Sequence, residues 1–235
     1  MILSRTNIVL TLLVLILTSL VLSVIAMVRY PAFFSQPGAW TIVSRLAFVL
    51  IAYASALVWI VRARDWDAGR DVILRNATLY GLFGGCLEFI NIGIENFFPQ
   101  IQTPILPIGF MVTIFSSWGV AGFKTARTMR SSRAGLLAAV SSAVVCMLIA
   151  VTIGFGIELL APPAPAYIST WAEFKRSGWT DARAFGLANT FDSGLTHLIV
   201  APVVAVAFGG LACFLAFLVE NRKPRLLGLA VLRGS

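Results

Sequence analysis

From Ile8 to Val28 the chain runs 21 residues without a charge. A run of that kind leaves the backbone few choices. The hydrocarbon core of a bilayer is about 30 Å thick and holds no water, so a crossing segment must satisfy its own N–H and C=O groups. An α-helix of about 20 apolar residues does so, at a rise of about 1.5 Å per residue. Six segments meet the requirement: 8–28, 40–61, 77–98, 105–123, 134–160 and 190–219. They predict an all-α integral membrane protein, a six-transmembrane-helix bundle in one domain. The first run is longer than the roughly 7–15 apolar residues of a signal-peptide core, so it is expected to stay as a span.

Composition narrows the class further. The chain is 59% apolar and 12% charged, with a mean hydropathy of +0.91. Soluble domains carry about 25% charged residues, and half that share cannot cover a soluble surface of this size. A soluble enzyme, a disordered chain and a disulfide-stapled secreted domain are thereby excluded. Cys86, Cys146 and Cys213 sit singly in apolar runs with no CxxC spacing. They are expected to be small apolar fillers, not a disulfide framework or a zinc site.

The net charge of +8 is distributed by side. One set of loops and ends carries 13 cations: Arg5, Arg62, Arg64, Arg70, Arg75, Lys124, Arg127, Arg130, Arg133, Arg222, Lys223, Arg225 and Arg233. The other carries 5: Arg29, Arg45, Lys175, Arg176 and Arg183. Lys and Arg collect on the cytoplasmic side, so both termini are expected there, with 220–235 as a basic cytoplasmic tail. The implied location is a plasma membrane or bacterial inner membrane. The basic charge then serves orientation near anionic headgroups and not nucleic-acid binding. The long loop 161–189 falls outside. It opens Ala161-Pro162-Pro163-Ala164-Pro165, and its stretch from Trp171 to Trp179 is expected to lie as a short helix at headgroup depth.

Ionisable groups at membrane depth cost about 2.5–3.5 kcal/mol at a span centre on insertion scales. Five occur in the middle or outer half: Glu88, Glu95, Glu158, Asp192 and His197. Glu88, Asn91 and Glu95 stand at i, i+3 and i+7, on one face of the third span. In the sixth, Asn189, Asp192 and Thr196 share a face, with Ser193 and His197 beside it. Two layers are expected, a rim of Glu95, Glu158 and Asp192 and a deeper pair of Glu88 and His197. Thr113, Ser116 and Ser117 of the fourth span are candidate hydrogen-bond donors to the same place. Glu95 and Glu158 lie near helix C-termini, where the macrodipole disfavours a carboxylate; each must hold a proton or be given a cation. Asp192, near the start of its span, reads as an N-cap as well as a rim acid. Both glutamates belong to a Gly-Ile-Glu-x-x-x-Pro echo, Gly93 to Pro99 and Gly156 to Pro162, offset by 63 residues; it suggests a duplicated hairpin but rests on four matched positions.

Catalytic and metal signatures are weak. There is no ExxH, HxxxH or HExxH spacing and no GxxxxGK[ST] loop. A single histidine excludes bis-histidine haem ligation within the chain. Ser193 and His197, one turn apart, lack a third group to complete a triad. Glycines at 81, 84, 85, 119, 122, 209 and 210, and the Ala201/Ala205 pair, predict close helix packing. Pro202 predicts a kink below His197.

Glu88, Asn91, Glu95, Glu158, Asp192 and His197 are therefore the candidate ligand- or ion-binding residues of an outward-facing acidic pocket. It would bind or transport a small cation, a proton or a polar solute. The alternative is a non-catalytic subunit of a larger membrane complex, whose polar groups meet other membrane subunits or a cofactor edge. An intramembrane enzyme ranks third. The sequence names no cofactor and no metal.

Overall fold

The computed structural model describes residues 5–62, 68–101 and 103–232, with the side chains of 59–61, 99 and 220–232 excepted. Arg64 and the side chains of Arg222, Lys223, Arg225 and Arg233, hence the basic character expected of the tail, lie outside the described residues. Eight α-helices and no strand occur among the described residues. They are α1 (Arg5–Arg29), α2 (Ala39–Arg62), α3 (Ala68–Phe97), α4 (Ile105–Met129), α5 (Ser132–Leu160), α6 (Pro165–Ile168), α7 (Ala172–Ser177) and α8 (Ala182–Leu232). Short 3₁₀ turns at Pro31–Ser35 and Pro99–Ile101 join α1 to α2 and α3 to α4. Six of the helices are long and apolar enough to cross a membrane, and the chain is an integral membrane protein on that ground.

Several helices outrun their apolar segments. α3 begins at Ala68, nine residues before the apolar run, and α4 continues to Met129. Polar turns prolong a helix where water and headgroups can solvate their side chains. The largest difference is α8. It begins at Ala182 and not near Thr190, because Asp181 caps it by accepting from Ala184 N at 2.9 Å. The connection from α5 to α8 is correspondingly 161–181. It holds two short helices, with α7 lying between Trp171 and Trp179 as expected.

α5 is the central post, packed against α1, α3, α4 and α8. Its inner faces are small: Ala138, Ala139, Ser142, Ala143 and Cys146 are all fully buried. Small side chains let neighbouring backbones approach, and in lipid that packing replaces the hydrophobic drive of a soluble core. Gly81 of α3 shows how close they come: a Cβ there would lie 2.6 Å from Val145 Cβ and 2.7 Å from the Ser142 carbonyl. Gly209 meets Ala139 equally tightly, whereas Gly210 faces open space and plays no packing part. α2 is peripheral, packed on α1 and α8. Large apolar side chains such as Leu17, Phe48, Val112, Val203 and Phe217 cover the outside, as a lipid-facing surface requires. Because α3 and α4 are antiparallel, Arg75 and Lys124 lie at one end of the bundle and Glu95 at the other, about 30 Å away along α3.

Candidate functional site

A cavity of about 540 Å³ opens at the end of the bundle that carries Glu95. α3, α4, α5 and α8 form its walls, and Pro163, Tyr167 and Trp171 of the α5–α8 connection form its roof. Five of the six sequence-predicted residues, Glu88, Asn91, Glu95, Glu158 and His197, line it. Asp192 does not: it is exposed on another face of α8. With α8 starting at Ala182, Asp192 is also well inside the helix and caps nothing. The cap is Asp181.

Glu158 is the most tightly held of the acids. Its carboxylate Oε1 lies 2.7 Å from Arg183 Nη1, with the two side chains only 5% and 13% exposed. Arg183 Nη2 donates to the Glu158 carbonyl at 2.9 Å. The Thr190 hydroxyl sits 3.1 Å from Glu158 Oε2 and 3.1 Å from the Gly186 carbonyl, able to donate to either. The Arg183 guanidinium lies over the Tyr30 ring, 4.5 Å from its centroid. Arg29 approaches the same ring and donates to the Leu159 carbonyl at 3.0 Å. The last carbonyls of an α-helix have no intrahelical donor, and the macrodipole is negative there. Two arginines supply donors and charge to that terminus. For Glu158, then, the cation required by the sequence argument is Arg183.

Glu88 and Glu95 are different. Neither forms a hydrogen bond or ion pair among the described residues. Glu95 is exposed at the mouth and Glu88 half-buried deeper in. His197 and Glu95 line the same cavity as Glu88. His197 Nδ1 lies 2.7 Å from the Ser193 carbonyl. A carbonyl only accepts, so Nδ1 carries the hydrogen and Nε2 is the free basic nitrogen. Ser193 Oγ is 3.4 Å from that already committed Nδ1, so this pair is not a nucleophile held by its base. No group of three or more His, Cys, Asp or Glu side chains able to hold a metal occurs among the described residues.

The uncharged donors expected from α4 do not reach the cavity. Thr113 and Ser117 donate back to Gly109 and Ile114 carbonyls, and Ser116 is exposed on another face. In a span, a hydroxyl's cheapest partner is its own helix. α4 supplies instead an apolar wall of Pro107, Met111, Ile114 and Phe115.

The roof was legible in the sequence only as a headgroup-depth loop. Ile168 is fully buried and its Cδ1 stands where a Cβ on Gly186 would be, 2.7 Å away, so α6 seats directly on the α8 backbone. Trp171, Phe174 and Trp179 pack edge to face on Phe185, and Tyr167 packs edge to face on Trp171. Arg183, Arg29, Tyr30 and the roof aromatics are the residues that sequence reasoning passed over. The signal for Arg183 was Asp181 ahead of an alanine-rich stretch. That is an N-cap, and it puts Arg183, Gly186 and Thr190 on one helical face.

The chain matches no protein-family model, and no curated protein or solved structure is significantly similar to it.

Proposed function

We propose that the cavity binds a small organic cation, such as an amine, and that the protein binds or carries it from the outer side of a plasma or bacterial inner membrane. The carrying observation is an imbalance within one cavity wall. Glu158 has Arg183, whereas Glu88 and Glu95 line the same space with no ion pair among the described residues. A volume of about 540 Å³ is far larger than a bare ion and suits a small molecule. Tyr167 and Trp171 at the roof offer ring faces to a cationic head, and Asn91 with His197 Nε2 adds polar contacts. The Lys/Arg asymmetry supports cytoplasmic termini, which turns the mouth outward.

The test uses purified protein in nanodiscs, titrated with tetramethylammonium, a primary diamine and a neutral isostere, 3,3-dimethylbutanol. Trp171 fluorescence and calorimetry report binding. The cations are expected to bind and the alcohol not. Glu88→Gln with Glu95→Gln should weaken cation binding by about tenfold or more, as loss of charge-assisted contacts implies. Equal binding of the alcohol, or unchanged affinity in the folded double variant, overturns the proposal. Uptake into proteoliposomes separates carrying from binding.

One observation favours a second reading, a subunit of a larger membrane assembly. Asp192 is exposed on a span yet outside the cavity, and a carboxylate there is best placed against a neighbouring chain. Cross-linking from a cysteine at position 192 tests it.

A further inference from the structure

At the opposite end of the bundle a groove of about 1050 Å³ runs between α3 and α4. Arg75, Lys124 and Arg127 line it, and no acidic residue among the described ones does. The groove is braced by a buried interhelical hydrogen bond, Asn76 Nδ2 to Thr125 Oγ1 at 2.9 Å. Arg75 and Lys124 are the chain neighbours of those two residues, so the bond holds one cation on each side. Lys124 Nζ is further placed over the Tyr80 ring, 5.3 Å from its centroid.

The order of residues along each helix is the informative part. On α3, Arg75, Leu79 and Leu82 stand at i, i+4 and i+7. On α4, Arg127, Lys124 and Val120 climb the matching face in the same direction. Both helices present cations at the bundle end and exposed aliphatic side chains toward the middle of the membrane, with Leu79 at 58% and Val120 at 40% exposure. A soluble anion uses only the first half of that arrangement. An amphiphile with an anionic head and an acyl tail uses both. We propose that this groove is a binding site for an anionic phospholipid, its phosphate held by Arg75, Lys124 and Arg127 and one acyl chain laid along Leu79, Leu82 and Val120. Basic recesses between spans hold such headgroups by charge. The assignment is independent of what the acidic cavity binds.

The experiment is native mass spectrometry of the full chain, delipidated in detergent and supplied with equal phosphatidylglycerol and phosphatidylcholine. Selective retention of phosphatidylglycerol is expected. Each cation contributes a factor on the order of five, so a variant carrying R75Q, K124Q and R127Q should retain it roughly a hundredfold less. Leu79→Ser with Val120→Ser, which leaves the charges in place, should also weaken retention, because the acyl wall is then polar. Circular dichroism confirms that each variant is folded, and a K175Q/R176Q variant, altered at the other end, should retain the lipid as wild type does. Equal retention of both lipids, undiminished retention in the folded triple variant, or displacement by millimolar inorganic phosphate overturns the proposal, the last by reassigning the groove to a soluble anion.

Discussion

Replacing Arg183 by methionine should be the most damaging single change at the Glu95 end of the bundle. Methionine keeps much of the stem's packing and removes the guanidinium. Three interactions go with it: the 2.7 Å ion pair to Glu158, the 2.9 Å bond to the Glu158 carbonyl and the stacking on Tyr30. What remains is a carboxylate 5% exposed, at a helix end whose dipole repels it, with Thr190 as its one remaining side-chain partner. Breaking a buried pair by removing one partner costs about 3–5 kcal/mol, and that is the expected loss. Glu158→Gln should cost less, about 1–3 kcal/mol, because Arg183 keeps the carbonyl and the ring. The double variant should be less destabilised than the sum, with a coupling of roughly 2 kcal/mol. Arg183→Lys should fall between, since an ammonium cannot serve carboxylate and carbonyl with a rigid fork. Equilibrium unfolding in a fixed mixed micelle, followed by circular dichroism, measures all four. A strictly additive double variant, or Arg183→Met within about 0.5 kcal/mol of wild type, would refute the pairing as the reason these residues are buried together.

Gly81→Leu should lower stability by about 1–3 kcal/mol through overpacking of α3 on α5, whereas Gly210→Ala, with nothing within 4 Å of the added carbon, should be neutral or gain up to about 1 kcal/mol of helix propensity; thermal melts compare them. His197→Ala should weaken binding of an organic cation by roughly two- to tenfold through loss of the polar contact from Nε2, while Ser193→Ala should not, in the same nanodisc titrations. Asp192→Asn should leave cation binding unchanged in the same titrations, since the side chain lies outside the cavity; a loss would mean that Asp192 reaches the ligand after all.

The spans were readable because hydropathy alone decides them. An uncharged 21-residue run has one stable form in a bilayer, whatever surrounds it. Their ends were not readable in the same way. Once a helix leaves the apolar zone, charge no longer stops it, and only a cap does. By hydropathy the span starts near Thr190 and leaves 182–189 to the loop, yet Asp181 begins the helix before them. Arg183 belongs by the cation count to the sparsely charged side. It is near that end, but its head is turned inward and used by Glu158.

The same error of eight residues explains the split fate of the polar stripe on α8. The sequence offers two adjacent faces there, one carrying Asn189, Asp192 and Thr196, the other Thr190, Ser193 and His197; of the first, Asn189 at its start lines the cavity and Asp192 and Thr196 do not. Periodicity places residues on faces but does not say which face turns inward. That choice is made by the partners that α8 meets. Arg183 and Thr190, seven residues apart, both bond to Glu158, and so fix the rotation of α8 against α5. Glycines 186 and 194 lie on the same side, where Ile168 and Phe155 press against the backbone. With that side seated on α5, Ser193 and His197 enter the cavity and Asp192, one residue earlier and about 100° around, is left outside. On α3 there was no such ambiguity. Glu88, Asn91 and Glu95 form its charged stripe in the half nearer the cavity, with Asn96 the one other polar amide there, at the edge of the same cavity. A single stripe can be placed from sequence; two rival stripes require the neighbouring helix.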